Sequence, residues 1–107
     1  MPSTISIRDI DRGIVFFMAE WSGPAQWAWR QLCEFVGSYQ GAKPNIIKIE
    51  WQDAGPVYSL PELEGKVHAW GEAMVVKGGQ ILFFTVLGKE KADVQINCQE
   101  LLRVYDG

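Results

Sequence analysis

Residues 14–25 read Ile-Val-Phe-Phe-Met-Ala-Glu-Trp-Ser-Gly-Pro-Ala, and this stretch decides the fold. Its first five residues form a continuous apolar run of strand length, which is typical of a central strand covered on both faces. Ser22 can cap a helix, and Pro24 falls in a first helical turn, where a missing N–H costs nothing. The stretch therefore predicts a buried strand that leads directly into a helix.

The spacing of apolar residues elsewhere predicts the remaining elements. Helices are predicted over 25–39, 61–69 and 94–105, and strands over 4–7, 45–51, 73–76 and 81–86. Between the last two strands, Lys77-Gly78-Gly79-Gln80 is a hairpin signal. The resulting order, β-β-α-β-α-β-β-α, implies a mixed sheet with helices packed on both faces.

Length and composition limit the kind of protein. A chain of 107 residues has room for one domain, and 48% apolar with 21% charged residues is typical of a globular protein. A net charge of −3 gives no basis for nucleic-acid binding, and no segment is long and apolar enough to span a membrane. Residues 1–9 lack the pattern of a secretory signal, so we expect a cytoplasmic protein of bacterial type.

The motif at residues 21–25, together with the order of elements, resembles the thioredoxin family, in which the motif is Trp-Cys-Gly-Pro-Cys. Lys48 resembles a lysine often found on the next strand, and residues 77–80 are similar to the family's Lys-Asn-Gly-Glu turn. Gly88 matches the glycine after the last strand. The resemblance implies one thioredoxin-like α/β domain over residues 1–107. It would have a mixed central sheet of four to five strands, helices on both faces and a truncated first strand-and-helix unit.

Four positions depart from the family's functional pattern. Ser22 and Ala25 stand where the family has its cysteines, Phe16 where it has a buried acid, and Gly71 where it has a cis-proline facing the motif. The first cysteine of the family attacks as a thiolate. An alcohol is about seven pKa units less acidic than a thiol and forms no disulfide, and alanine cannot act as the resolving thiol. We therefore expect a redox-inactive protein that is not an enzyme and needs no cofactor or metal.

The tryptophans point to binding instead. Of the five, Trp29 and Trp51 suit structural positions, whereas Trp21 and Trp70 would flank the groove in which the family binds extended peptide. Exposed aromatic residues are typical of protein interfaces. The predicted partner-binding residues are Trp21, Ser22, Gly23, Pro24, Ala25, Trp27, Trp70, Gly71, Glu72 and Gly88.

The predicted partner is another protein, and charge favours a basic one. Glu20, Glu50 and Glu72 would place carboxylates around the predicted surface of a chain that is acidic overall. Such a module could serve as an adaptor, an assembly chaperone or an immunity protein. The sequence does not choose among these roles, and it leaves the partner and the oligomeric state open.

Two alternatives remain open from the sequence. A non-redox enzyme could use Ser22 as nucleophile with the one histidine, His68, as base, although no Gly-x-Ser-x-Gly motif is present. A redox sensor could use Cys33 or Cys98, which would require an exposed and acidic thiol. The two cysteines fit no metal or redox spacing, and we expect both to be buried as small hydrophobic side chains.

Overall fold

The computed structural model describes residues 7–39, 44–50, 63, 70–88 and 91–107 of the chain. Four strands form one sheet, namely β1 (Arg12–Met18), β2 (Ile46–Glu50), β3 (Glu72–Lys77) and β4 (Gln80–Val86). They lie in the order β2-β1-β3-β4. β1 is parallel to β2 and antiparallel to β3, which is antiparallel to β4. The predicted mixed sheet is therefore confirmed, with four strands among the described residues.

Strand β1 occupies the middle of the sheet because both of its faces are apolar. Six of its seven residues are buried, with Ile14 and Phe16 on one face and Val15 and Phe17 on the other. Burial of apolar surface contributes about 25 cal/mol per Å², and a strand that is apolar on both faces is typical of the interior of a sheet covered on both sides. The prediction of a two-sided central strand is confirmed.

Two helices, α1 (Gly23–Gly37) and α2 (Val94–Asp106), pack against the same face of the sheet. Ala28 and Leu32 of α1 join Leu101 and Leu102 of α2 in one core cluster with the side chains of β1 on that face. Neither of these two helices, within the described part of the chain, is long and apolar enough to cross a membrane. Both helices were predicted, and α1 begins two residues earlier than expected, at Gly23.

The opposite face of the sheet has its own core cluster. Here Val15 and Phe17 meet Ile7, Ile10 and Leu63. The helix predicted over 61–69 lies outside the described residues except for Leu63, which is buried in this cluster. The predicted strand 4–7 also lies outside them except for Ile7. That residue belongs to a short 3-10 helix, Ile7–Asp9, so the prediction of a strand at Ile7 is wrong.

The predicted hairpin between β3 and β4 is confirmed. Gly78 and Gly79 both have positive φ, 57° and 76°, as the tight turns that suit twisted antiparallel strands require. A side chain at Gly79 would come within 2.7 Å of the carbonyl oxygen of Arg8, so the N-terminal segment lies directly on this turn. Farther along the pair, the register shifts by one residue and leaves Leu82 as a bulge in β4.

Candidate functional site

Three segments that are distant in sequence meet at one end of the sheet. They are the turn from β1 into α1, the loop before β3 and the loop after β4. The N–H of Gly88 donates to the carbonyl of Trp70 at 2.9 Å, and the N–H of Leu87 donates to the carbonyl of Gly71 at 3.0 Å. A Cβ atom at Gly88 would also lie 2.7 Å from the carbonyl oxygen of Pro24. The structure therefore brings together the segments that hold the predicted partner-binding residues.

Ser22 is the N-cap of α1. Its φ and ψ of −103° and 117° are extended, and its hydroxyl oxygen accepts a hydrogen bond from the N–H of Ala25 at 3.3 Å. The side chain is only 6% exposed. The predicted capping role is confirmed: the hydroxyl oxygen, which the resemblance matches to the first sulfur of the thioredoxin motif, accepts a hydrogen bond at the start of the helix.

The predicted binding residues separate into an exposed rim and a buried floor. Trp21 is 71% exposed and Trp70 is 40% exposed. Gly23 and Pro24 are exposed, and Trp27 and Gly88 are partly buried. The buried members are Ser22, Ala25, Gly71 and Glu72. A partner could contact the exposed residues directly, whereas the buried residues can act only by holding the exposed ones in position.

Glu72 does not carry surface charge as predicted. Its side chain is fully buried at the start of β3, and its Oε2 accepts a hydrogen bond from the N–H of Trp70 at 3.1 Å. Glu20 is exposed, whereas Glu50 is only partly exposed and one of its carboxylate oxygens is buried. Glu50 also lies 3.7 Å from the amino group of Lys48. The exposed negative charge near the site is smaller than the sequence suggested.

Gly71, which the resemblance matches to the cis-proline of thioredoxins, has a left-handed backbone. Its φ is +81°, which a proline cannot adopt because the ring holds φ near −65°. A Cβ atom at this position would overlap the methyl group of Ala28 in α1. The loop therefore approaches the helix more closely than any residue with a side chain would allow.

Phe16, which the resemblance matches to the buried acid of thioredoxins, is a fully buried aromatic core residue. Its ring lies 5.1 Å from that of Trp29, at an interplanar angle of 50°. The Trp29 ring also makes a cation–π contact with Lys48, whose amino group lies 5.2 Å from the ring centre. The predicted structural role of Trp29 is consistent with these contacts, and Trp51 lies outside the described residues.

The two cysteines differ in exposure. Cys98 is buried in the core of α2, and this burial raises the pKa of its thiol to about 11. Cys33 is exposed on α1, so the prediction that both thiols are buried is wrong for this residue. Partial desolvation raises the pKa of Cys33, although the charge of Lys48 opposes the shift. Both shifts favour the unreactive thiol form over the thiolate.

Other candidate sites are few among the described residues. They contain no cluster of three or more His, Cys, Asp or Glu side chains that could hold a metal ion. His68 lies outside them, so the structure does not test its pairing with Ser22. Two shallow grooves of about 200 and 330 Å³ lie between the C-terminal half of α1 and α2, the first at the start of α2 and the second along its later turns. Phe35 lines both, and neither includes a predicted partner-binding residue.

Solved structures of thioredoxins resemble this architecture. Thioredoxin from Plasmodium falciparum superposes with a TM-score of 0.62 at 20% identity, over 88% of this chain and 85% of that one. The reduced thioredoxin pre-protein of Schistosoma mansoni gives 0.59 at 18% identity, over 85% and 79%. The protein called Trxlp from Edwardsiella tarda gives 0.63 at 11% identity, over 90% and 86%.

In sequence, the chain matches no family model and no curated protein. The likeness to the solved structures is therefore one of backbone architecture. It spans most of the chain and most of each thioredoxin, and it agrees with the sheet order and helix positions described above. The chain has the thioredoxin-like fold.

Proposed function

We propose that this chain is a redox-inactive thioredoxin-like protein that binds another protein through the end of the sheet where Trp21–Ala25, Trp70–Glu72 and Gly88 meet. The observation that carries the proposal is the exposure of two tryptophans, 71% for Trp21 and 40% for Trp70. Large aromatic side chains left exposed around a rigid, buried floor are typical of the anchors of protein interfaces.

The loss of redox chemistry follows from the atoms at the motif. Ser22 presents an oxygen that caps α1, and Ala25 presents a buried methyl group. Neither can form a disulfide with a substrate. The two cysteines of the chain lie elsewhere, Cys33 on the third turn of α1 and Cys98 in α2. Electron transfer through the motif has no sulfur to use.

A basic protein is the partner that charge favours. Glu20 beside Trp21 is exposed, Glu50 at the end of β2 is half-buried, and the chain carries a net charge of −3. These charges would speed the approach of a basic partner and weaken contact with an acidic one. In a bacterial cytoplasm the module would act as an adaptor, an assembly chaperone or an immunity protein.

A pair of measurements tests the proposal. The first is insulin-disulfide reduction, where we expect no rate above background for the wild type or for Ser22→Ala. A reductase rate that disappears in Ser22→Ala would refute redox inactivity. Because the hydroxyl caps α1, the substitution is expected to lower the free energy of unfolding by about 1 kcal/mol, so both proteins are assayed at a temperature where each is folded.

The second measurement is selective capture of a partner from cells of the source organism. The bait proteins are the wild type, Trp21→Ala/Trp70→Ala and Leu82→Ala. Leu82 is a matched control because it is 50% exposed and lies in the β4 bulge, toward the hairpin and away from the site. We expect one protein to be retained by the wild type and by Leu82→Ala and lost by the double variant. Equal retention by all three would exclude the proposed surface.

A further inference from the structure

Glu72 is a buried carboxylate at the floor of the proposed binding surface. It is the first residue of β3 and is fully inaccessible to solvent. Burying a carboxyl group is unfavourable, and replacing buried ionic residues by apolar ones of similar volume is often neutral or stabilising. Stability alone therefore gives little reason for a carboxylate at this position.

The carboxylate acts on the backbone of the loop that carries Trp70. Its Oε2 accepts the N–H of Trp70 at 3.1 Å. On the other side of the same residue, the carbonyl of Trp70 accepts the N–H of Gly88 at 2.9 Å. Both backbone polar groups of Trp70 are therefore held, one by a side chain from inside the sheet and one by the loop after β4.

The next residue completes the turn. Gly71 has a φ of +81°, and its carbonyl accepts the N–H of Leu87 at 3.0 Å. The chain is held on both sides of Trp70, whose side chain remains 40% exposed. An exposed tryptophan on a loosely held loop would instead turn toward nearby apolar surface, because burial of its large ring is favourable.

We propose that Glu72 is a positioning residue, whose buried carboxylate holds the backbone of Trp70 in the turn that keeps the indole exposed. A buried N–H that loses its acceptor bears the full cost of desolvation, so this hydrogen bond matters to the conformation of the turn. The inference rests on the proposed function only in that the indole it positions belongs to the proposed binding surface. A preformed loop lowers the entropic cost of binding a partner.

Glu72 does not take over the place of the family's buried acid. That position is Phe16, which faces α1 and α2 in the first core cluster. Strand alternation puts Glu72 on the same face as Met74, which belongs to the cluster on the opposite side of the sheet. The carboxylate therefore reaches the Trp70 loop from the face away from Ser22, and its role concerns the loop rather than the motif.

Two variants of similar size separate positioning from bulk stability. Glu72→Gln keeps a side-chain oxygen that can accept the N–H of Trp70, whereas Glu72→Met fills the space without an acceptor. Both are compared with the wild type as the isolated protein. The readouts are hydrogen exchange of the Trp70 backbone amide and the 19F signal of 5-fluorotryptophan at this site. That signal is assigned with Trp70→Phe, and urea unfolding gives the stability of each variant.

We expect Glu72→Met to speed exchange at the Trp70 amide by roughly tenfold to a hundredfold, as loss of the acceptor of one buried hydrogen bond implies. Its 19F signal should broaden or split, while amides of β1 such as Phe17 keep their wild-type exchange rates. Glu72→Gln should retain most of the protection at Trp70. These readouts need no partner, so they test the inference even if the surface binds nothing.

Three results would overturn the inference. The first is unchanged exchange at Trp70 in Glu72→Met, which would mean that the carboxylate does not hold the loop. The second is faster exchange throughout β1 and β3 in step with lost unfolding free energy, which would make Glu72 a structural residue only. The third is equal loss of protection in both variants, since the retained oxygen of Glu72→Gln would then have no effect.

Discussion

The N–H of Gly88 donates a hydrogen bond of 2.9 Å to the carbonyl oxygen of Trp70, which joins the loop after β4 to the loop before β3. The same glycine faces the carbonyl of Pro24 at the start of α1. One residue without a side chain thus touches both of the other segments of the candidate site. The segments that carry the exposed residues of the site are therefore joined by close backbone contacts of Gly88.

Gly88→Ala is expected to disturb this contact. The added Cβ would overlap the carbonyl oxygen of Trp70 and lie 2.7 Å from that of Pro24. Because both neighbours are backbone, we expect a loss of about 1–3 kcal/mol in the free energy of unfolding. Urea denaturation measures it. The matched control is Gly37→Ala in α1, where a Cβ meets nothing within 4 Å and helix propensity should add up to about 1 kcal/mol. Equal stability of the two variants would contradict the close contact.

Gly71 and Ala28 should be energetically coupled. A Cβ at Gly71 would overlap the methyl group of Ala28, so Gly71→Ala should destabilise through this overlap and through the positive φ of +81°. Ala28→Gly alone should cost about 1 kcal/mol from helix propensity. In the double variant the new methyl group occupies the vacated space. We expect the double variant to be more stable than the sum of the singles predicts, by about 1 kcal/mol or more. Additive losses in urea unfolding would show that the two residues do not share the space.

The features that sequence patterning predicted depend on local or one-dimensional signals. In three cases a few neighbouring residues are enough to predict the local structure. These are the apolar run of β1, the Ser22 cap and the Gly78-Gly79 turn. The burial of Glu72 has no such signal, because a charged residue at the first position of a strand is ordinarily exposed. In the folded chain it is fully buried, and its Oε2 accepts the backbone N–H of Trp70, a contact that no local pattern indicates.

The exposure of Cys33 was missed for a related reason. The apolar stripe of α1 runs through Ala25, Ala28 and Leu32, which are the buried residues of that helix. Cys33 follows Leu32 and is rotated from it by about 100° around the helix axis, at the border of the stripe. Periodicity locates the centre of a buried face well, but the width of that face depends on which elements cover it. Here the border at Cys33 is exposed to solvent.

Arg12 is expected to stabilise the end of α2. Its Nε and Nη2 both donate to the carbonyl of Tyr105, at 3.0 and 2.6 Å, and its guanidinium lies 4.3 Å from the centre of the Tyr105 ring. A cation that binds the last carbonyls of a helix also interacts favourably with its dipole. Arg12→Lys keeps the charge but loses the planar fork. Because the side chain is half-exposed, we expect a loss of only about 1 kcal/mol in urea unfolding.

The control for this substitution is Arg103→Lys on the same helix. Arg103 pairs with Glu100 at 2.6 Å on the exposed face of α2. Exposed pairs of this kind contribute little because water screens both charges. We therefore expect Arg103→Lys to leave the unfolding curve nearly unchanged. If both substitutions lowered the free energy of unfolding equally, the contact of Arg12 with the end of α2 would stabilise the fold no more than an exposed ion pair does.

Cys98 should make the folded chain lose stability in alkaline solution. Burial raises the pKa of its thiol from 9.0 to about 11, so in this interval the unfolded chain releases the proton while the folded chain retains it. The unfolded state therefore binds fewer protons, and the free energy of unfolding falls with pH by at most about 1.4 kcal/mol per pH unit. This contribution is fully present below pH 9 and is lost as the pH rises through about 11.

Urea unfolding of wild type, Cys98→Ala and Cys33→Ala between pH 8 and 11 isolates this effect, since lysines and tyrosines titrate equally in all three. We expect the alkaline loss to be smaller in Cys98→Ala, whatever stability the removal of a buried sulfur costs at pH 8. Cys33→Ala should follow the wild type more closely, because its exposed thiol is less desolvated. Parallel pH profiles for wild type and Cys98→Ala would mean that the thiol ionises equally easily in the folded and unfolded chain, which is incompatible with its buried position in α2.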